Sequence, residues 1–368
     1  MRRATRVELI AALCLCVAPR VVAAQHPAEL APGADFAAGA NLTEKNVKAE
    51  GTIFVPDAAR RVRAVIVLIG SWPGADRGLY DASGRKLANE VARLREPDPR
   101  GENPDGDPLA LGRFRDQLWR RLSQTCECAL LYLKLGTIRP EASSGVAAIR
   151  PDGVVIRSGT SSRVERNAAE GGGAALLLIL RRLGEESAHS ELKDAPLLLF
   201  GFSATASFGT TFAELYPDRT VAFIRYHTHL RGLSPNLKVL RNIPALLIAG
   251  GSDMLAGTED AQTLWKSGRS AGAPWTFAIE PGATHGGQES VVSSQALIIP
   301  WITAVIRERL APSSTRLRQL TEDRGWLGNH STAEAAPYAT FRAAGDGTSW
   351  LPDEVAARGW QTVLAGAK

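Results

Sequence analysis

Cysteine is scarce in this sequence, and its placement argues against both disulfides and zinc. Only four cysteines occur in 368 residues, and two of them fall within the first 24. The other two, Cys126 and Cys128, are separated by one residue, so a bridge between them would be strained. No histidine cluster accompanies them, as a zinc site would require. We expect both to be small core residues at the start of a strand.

Long apolar runs and basic runs are also missing. No stretch after the N-terminus approaches the roughly 20 apolar residues that span a bilayer, so we expect no stable membrane insertion. Lysine and arginine do not cluster with interleaved aromatic residues, and nucleic acid is therefore not an expected partner. Much of the formal net charge of +5 lies near the N-terminus.

The first 24 residues predict a signal peptide and an exported protein. Arg2, Arg3 and Arg6 precede a short apolar run, Leu9–Ala18, and Val22–Ala24 offers small residues for cleavage. A buried N-terminal helix is the alternative interpretation. Residues 25–50 are rich in Ala, Gly and Pro, and we interpret them as an N-terminal arm.

Residues 51–310 alternate apolar strands with helical patterns, on an ordinary globular composition of 45% hydrophobic and 22% charged residues. This alternation predicts an α/β domain, a mostly parallel twisted sheet with helices on both faces. Residues 311–368 are polar and irregular but hold three tryptophans, so we expect this C-terminal tail to pack on the body; covering the site or binding a partner are the alternatives. The predicted strands are Gly51–Pro56, Arg63–Gly70, Cys128–Leu135, Leu197–Phe200, Thr220–Tyr226, Pro244–Ala249 and Trp275–Ile279, with a possible hairpin near Gly153–Ile156. The predicted helices are Leu87–Leu94, Leu111–Leu122, Ala168–Arg182, a helix from Ser203 to about Tyr216, Glu259–Ser270 and Ser290–Leu310.

One segment, Leu197–Arg219, has the layout of a nucleophile elbow. An apolar strand ends at Gly201, Ser203 stands at the apex of a small-residue turn, and a helix begins at once. Such a turn forces the serine into a strained backbone conformation and exposes its hydroxyl above the sheet. Ser203 is therefore a candidate nucleophile.

An acid and a histidine follow two later strands. Asp253 comes after the strand Pro244–Ala249, and His285 lies in a glycine-flanked loop after Trp275–Ile279. Ligands of open parallel sheets bind beyond the carboxyl ends of the strands. The order serine, acid, histidine therefore predicts a catalytic triad, in which an imidazole activates the serine and a carboxylate orients the imidazole.

These motifs, Gly201–Thr205, Gly251–Asp253 and Thr284–Gly286, resemble those of the α/β-hydrolase superfamily. Leu215–Asp218, after the elbow helix, is similar to secreted esterase and polyester-depolymerase-like members. The resemblance implies the α/β-hydrolase fold and ester hydrolysis without a cofactor. It also implies an oxyanion hole formed by the backbone amide of Ala204 and by Ser71 or Trp72. Thr205 replaces the family's usual glycine, and we expect either a slightly displaced helix or a diverged subfamily.

Other candidates have weaker support. His227 and His229 alternate after the strand Thr220–Tyr226 and are predicted to line the substrate pocket; with no third ligand in sight, we predict no metal site. Asp260 and Glu259 compete with Asp253, but their position at a helix start suits capping.

The sequence therefore predicts a serine hydrolase acting on a small-molecule or polymeric ester. A peptidase or an acyltransferase of the same fold is one alternative. The other is a non-catalytic ligand-binding protein on the same scaffold.

Overall fold

The described part of the chain alternates strands with helices, as the sequence predicts. The structure is a computed structural model that describes residues 31–70, 118–139, 147–149, 155–157, 162–230, 234–285, 287–311, 316–341 and 347–366. Its strands are β1 Gly33–Leu42, β2 Val47–Pro56, β3 Val65–Ile69, β4 Ala129–Thr137, β5 Ala147–Ile149, β6 Val155–Arg157, β7 Leu197–Phe202, β8 Thr220–Tyr226, β9 Ala245–Gly250, β10 Trp275–Glu280, β11 Trp326–Asn329, β12 Ala335–Pro337 and β13 Thr348–Leu351. Its α-helices are α1, described over residues 118–125, α2 Arg163–Arg166, α3 Gly172–Glu186, α4 Ala206–Leu215, α5 Leu237–Leu240, α6 Glu259–Ser270, α7 Gly287–Arg309 and α8 Glu354–Ala365.

Eight of these strands form the central sheet, in the order β1-β2-β4-β3-β7-β8-β9-β10. Strands β4, β3 and β7 to β10 pair in parallel, whereas β2 pairs antiparallel with both β1 and β4. The carboxyl ends of β7, β9 and β10 therefore meet at one edge. Strands β5 and β6 form a separate antiparallel hairpin.

The central strands β3, β7 and β9 are apolar and buried along almost their whole length, as expected for a sheet covered on both faces. Along β3, Val65 and Val67 join one buried cluster and Ile66 and Leu68 join the other, as the alternation of a strand requires. Helices α3, α4 and α6 contribute to the first cluster, and α1, α7 and α8 contribute to the second. None of the helices in the described ranges is both long and apolar enough to cross a bilayer.

Much of the predicted N-terminal arm forms strands of the central sheet, so the prediction of an arm is wrong there. Within residues 25–50, β1 spans Gly33–Leu42 and pairs along its whole length with β2, which itself begins at Val47. The predicted first strand, Gly51–Pro56, is therefore the second half of β2. Residues from Ala31 onward cluster as one unit with the rest of the chain. The predicted signal peptide and the predicted helix Leu87–Leu94 lie outside the described residues.

The C-terminal segment is regular rather than irregular. Strands β12, β11 and β13 form a small antiparallel sheet, and α8 follows it. Trp350 and Trp360 are fully buried. The indole N–H of Trp360 donates to the carbonyl oxygen of Phe277 at 2.7 Å, and the hydroxyl of Ser349 accepts the N–H of Phe277 at 2.8 Å. These bonds cover the free edge of β10, the last strand of the sheet.

His330 makes the stability of this segment depend on pH. Its ring packs among Trp265, Phe277 and Trp360, with ring centroids 4.6, 5.4 and 5.1 Å away. Burial, with a smaller contribution from the nearby Lys266, lowers the pKa of His330 to about 4. The unfolded chain binds this proton near pH 6.5, so between about pH 6.5 and 4 it binds more protons than the folded chain. Stability is therefore lost as the pH falls through that window.

We expect this loss to amount to roughly 2–3 kcal/mol, from the size of the pKa shift. The matched variant is His330→Phe, which keeps an aromatic ring and does not titrate. It removes the hydrogen bond between His330 Nε2 and Ser349 Oγ at any pH, whereas Ser349 Oγ retains its bonds to Phe277. Urea unfolding at pH 7 and pH 4.5 measures the effect in both proteins. The acid-induced loss should be smaller in the variant, and an equal loss in both would contradict the assignment.

Cys126 and Cys128 lie in the core, as predicted. Both are buried and neither is in a disulfide. The thiol of Cys128 donates to the carbonyl oxygen of Cys126 at 3.3 Å. Burial raises the pKa of Cys126 to about 11 and that of Cys128 well above its usual value. These thiols are therefore protonated at neutral pH.

Candidate active site

Ser203 occupies a sharp turn between β7 and α4. Residues Ser203–Thr205 form one turn of 3-10 helix, and α4 begins at Ala206. The backbone of Ser203 has a φ of +53°, a left-handed conformation that costs a non-glycine residue free energy and persists only where the surroundings impose it. A Cβ at Gly201 would overlap the backbone of Ala206. Strand and helix thus approach as closely as the small-residue pattern requires.

Thr205 is accommodated by Gly70, the residue just beyond the end of β3. A Cβ at Gly70 would lie 2.7 Å from the methyl carbon of Thr205. The hydroxyl oxygen of Thr205 lies 3.0 Å from the carbonyl oxygen of Ile69 and 2.9 Å from that of Phe202, and it accepts the N–H of Phe202 at 3.2 Å. Thr205 therefore links the elbow to the end of β3.

We expect Gly70→Ala to destabilise the protein by about 2–4 kcal/mol through overpacking and backbone strain. Gly70 has a φ of +94°, and the added methyl would overlap that of Thr205. Thr205→Ser, which keeps the hydroxyl and lacks the methyl, should recover part of the loss when combined with Gly70→Ala. Urea unfolding of the wild type, both single variants and the double variant gives the coupling free energy. Strictly additive effects would show that the two side chains do not compete for space.

The structure brings together Ser203, His285 and Asp253, each just beyond the end of a different parallel strand. Ser203 Oγ lies 2.9 Å from His285 Nε2. His285 Nδ1 lies 2.9 Å from Oδ2 and 3.1 Å from Oδ1 of Asp253. A carboxylate only accepts hydrogen bonds, so Nδ1 carries a proton and Nε2 is free to accept the proton of the serine hydroxyl. The arrangement can therefore transfer a proton from Ser203 to His285.

Asp253 is held as a buried anion. Burial acts to raise its pKa, but the hydrogen bond from His285 and those from the N–H groups of Ala256 and Leu255 outweigh it, so the pKa is lowered. Those two amides donate to Oδ1 at 2.8 and 2.9 Å. One carboxylate oxygen is thus fixed by the backbone, and the other is left to face His285.

His285 remains accessible from solvent while its partner acid is not. Its side chain is 22% exposed, whereas that of Asp253 has no exposed surface. The ring of Phe202 packs against the imidazole, with ring centroids 5.3 Å apart. His285 is thus partly open to solvent, and the carboxylate is shielded.

The prediction that His227 lines a substrate pocket is wrong, because its side chain is completely buried. Its Nε2 lies 2.7 Å from a carboxylate oxygen of Glu280, and its Nδ1 lies 3.0 Å from the carbonyl oxygen of Thr284. His229 instead lines a cleft of about 450 Å³ together with the loop Gly250–Asp260.

The competing acid Asp260 has a structural contact. Its Oδ2 accepts the backbone N–H of Leu230 at 2.8 Å, and it stands with Glu259 at the start of α6. Among the residues that the structure describes, no three His, Cys, Asp or Glu side chains are grouped as metal ligands. Ala204 follows Ser203 in the elbow turn, whereas Ser71 and Trp72 lie outside the described residues.

Sequence reasoning missed Glu280. Both its proximity to His227 and its burial depend on the pairing of β8 with β9 and of β9 with β10. The one available signal was a carboxylate at the end of an otherwise apolar strand, at the same sheet edge as the other candidates.

Comparisons with known proteins add little to this description. No protein-family model matches the sequence, and no curated protein matches it. A solved thermostable esterase aligns with 67% of this chain at a TM-score of 0.39 and 13% identity, and the chain spans only about half of it, 54%. A ferulic acid esterase aligns over 75% of this chain and 100% of its own, with a TM-score of 0.42 and 13% identity. An esterase from Pyrococcus furiosus aligns over 75% and 92%, with a TM-score of 0.41 and 11% identity. Similarity at this level transfers no activity.

The chain's own architecture defines its class. A mostly parallel sheet with helices on both faces, and a serine elbow at the end of a central strand, constitute the α/β-hydrolase fold. The protein has this fold, and the fold class predicted from the sequence is confirmed.

Proposed function

We propose that the protein is a serine hydrolase that cleaves carboxylic esters through an acyl-enzyme intermediate. The observation that supports this best is the continuous hydrogen-bonded line from Ser203 Oγ through His285 to Asp253. Hydrogen-bonded contact between a nucleophile, a base and an orienting group is the geometric signature of an activated serine.

In the proposed reaction, Ser203 Oγ attacks the carbonyl carbon of the ester while His285 Nε2 takes the hydroxyl proton. The imidazolium that forms is stabilised by Asp253, which faces Nδ1. Nε2 then returns the proton to the departing alcohol, which leaves an ester between Ser203 and the acyl group. Water enters by the same route, with His285 as its base, and releases the acid. These side chains supply the nucleophile, the base and the carboxylate, so the proposal requires no cofactor.

The negative charge of the tetrahedral intermediate needs hydrogen-bond donors. We assign one to the backbone N–H of Ala204, which follows the nucleophile in the elbow turn. The second stays a prediction for Ser71 or Trp72. The tie between Thr205 and the carbonyl of Ile69 supports this choice, because it fixes the end of the strand that leads into those residues.

The proposed substrate is a small-molecule or polymeric ester met outside the cytoplasm. Export is proposed from the signal-like pattern of residues 1–24 alone, and the ester class comes from the sequence motifs and from the chemistry of the triad.

A panel of aryl esters graded by acyl length, with matching aryl amides, tests the proposal. We expect the wild type to hydrolyse the esters and Ser203→Ala to lose that activity by several orders of magnitude. Ester hydrolysis unchanged in Ser203→Ala would refute the assignment of the nucleophile. Preferential cleavage of the amides would instead indicate a peptidase.

A further inference from the structure

A second histidine–carboxylate pair, His227 and Glu280, lies directly behind the proposed triad. Nε2 of His227 is 2.7 Å from Oε2 of Glu280. Its Nδ1 is 3.0 Å from the carbonyl oxygen of Thr284, the residue before His285. The same Nδ1 lies 3.8 Å from Oδ2 of Asp253. One buried imidazole thus faces both the loop that carries the base and the carboxylate that orients it.

The backbone of His227 is strained in this position. Its backbone has a φ of +46°, a conformation that a non-glycine residue adopts at a cost. A Cβ at Gly250 would lie 2.9 Å from His227 Cε1, 2.6 Å from the carbonyl oxygen of Ala283 and 3.1 Å from Asp253 Cβ. Only glycine at position 250 therefore leaves room for the imidazole of His227, the side chain of Asp253 and the loop that carries His285 to lie side by side.

The hydrogen bonds fix which nitrogen of His227 carries a proton. A carbonyl oxygen only accepts, so Nδ1 donates to Thr284. One further proton is shared between Nε2 and Glu280, and the pair is neutral overall wherever that proton lies. The hydroxyl of Tyr226 donates to Oε2 of Glu280 at 2.8 Å, and Ser294 bonds to Oε1. Glu280 is thereby held against Nε2, and the N–H edge of His227 is presented to Thr284 and Asp253.

The loop that carries His285 is held by few side-chain contacts from its own described residues. Pro281, Gly282 and Thr284 are exposed, and Gly282 has a φ of +73°. This loop is linked to the loop that carries Asp253, because the N–H of Ser252 donates to the carbonyl oxygen of Ala283 at 2.9 Å. His227, just beyond the end of β8, adds a side-chain hydrogen bond to Thr284.

We propose that His227 is a positioning residue for the triad, with Glu280 fixing its proton. It touches no substrate; its Nδ1–H holds the backbone of Thr284, so that His285 stays aligned between Ser203 and Asp253. The inference rests on the proposed function of those three residues. A misplacement of about 1 Å at such a site can cost on the order of a hundredfold in rate.

Two substitutions of His227 test the roles of its two ring nitrogens separately. His227→Asn keeps an amide donor near the position of Nδ1, and His227→Gln places its amide near Nε2 and removes the donor to Thr284. We expect His227→Gln to lower kcat about ten- to a hundredfold with little change in KM, and His227→Asn to retain most of kcat. The control is His330→Phe, which also replaces a histidine packed in the interior and leaves Thr284, Asp253 and Glu280 untouched; its kcat should stay near that of the wild type.

Hydrogen exchange provides a readout that does not depend on catalysis. The amide of Ser252, bonded to the loop at Ala283, should exchange faster in His227→Gln than in His227→Asn. Equal kcat in His227→Gln and the wild type, with equal exchange, would overturn the positioning role. Losses of kcat that merely follow the unfolding midpoint across all three variants would overturn it as well. Ester hydrolysis that survives Ser203→Ala refutes the proposed function instead, and the exchange result then still decides whether His227 holds the loop.

Discussion

Replacing Asp253 by asparagine should lower kcat for ester hydrolysis about ten-thousandfold, while the protein stays folded. Oδ1 accepts the N–H groups of Leu255 and Ala256, so the amide oxygen of the asparagine must take that position. The NH₂ group then replaces Oδ2, 2.9 Å from His285 Nδ1. Two donors cannot face each other, so His285 becomes protonated on Nε2 instead. In that tautomer it can no longer accept the proton of Ser203.

The matched control is Asp260→Asn. Asp260 competes with Asp253 in the sequence, and its carboxylate accepts only a backbone N–H, that of Leu230, among the hydrogen bonds described for it. An asparagine oxygen can accept the same bond, so kcat should stay close to the wild-type value. Steady-state kinetics on one aryl ester, with circular dichroism to verify folding, compares the variants. An active Asp253→Asn, or an equally damaged Asp260→Asn, would show that the acid has been assigned wrongly.

Deleting residues 312–368 should produce a chain that does not fold. Trp350, Leu351 and Trp360 are fully buried against the sheet and α7. Losing one large buried aromatic side chain costs about 3–5 kcal/mol, and losing two approaches the total stability of many domains, about 5–15 kcal/mol. The deletion also strips Phe277 of its hydrogen bonds to Ser349 and Trp360, leaving an open sheet edge that promotes aggregation.

Soluble expression and thermal unfolding measure this effect. Two single substitutions distinguish the loss of one hydrogen bond from a general loss of stability. Trp360→Phe removes the indole bond to Phe277 and should cost roughly 1–3 kcal/mol, whereas Trp326→Phe alters a half-buried ring and should cost less. A truncated chain that unfolds cooperatively near the wild-type temperature would contradict this account of the C-terminal segment.

The strands that carry the site were predictable because they are apolar at almost every position. Strand β8, Thr220–Tyr226, has the predicted bounds, β10 ends one residue later than predicted, and β9 begins and ends one residue later. Such runs arise where helices cover both faces of a parallel sheet. Strand β1 gave no such signal, because it is an edge strand whose side chains are mostly exposed. Its Ala- and Gly-rich sequence therefore resembled a loose arm.

The candidate site was predictable only in part. The order of Ser203, Asp253 and His285 could be derived from the sequence, because each follows an apolar run. The pair of His227 and Glu280 could not, because its members are 53 residues apart and meet only through sheet pairing. The same holds for Thr205, whose methyl fits because a glycine, Gly70, follows the adjacent strand β3. Local sequence patterns predict strands and turns, whereas contacts between residues far apart in the sequence depend on how the strands pair in the folded sheet.

Covalent labelling by a fluorophosphonate shows directly whether Ser203 is an activated nucleophile, since this probe reacts with serines activated by a neighbouring base. We expect wild-type protein to gain one phosphonyl group on the peptide containing Ser203, and Ser203→Ala to gain none. The His285→Ala variant should label far more slowly. Well-folded wild-type protein that remains unlabelled, or label found on another residue, would contradict the account; the first result would indicate a non-catalytic binding protein on this fold.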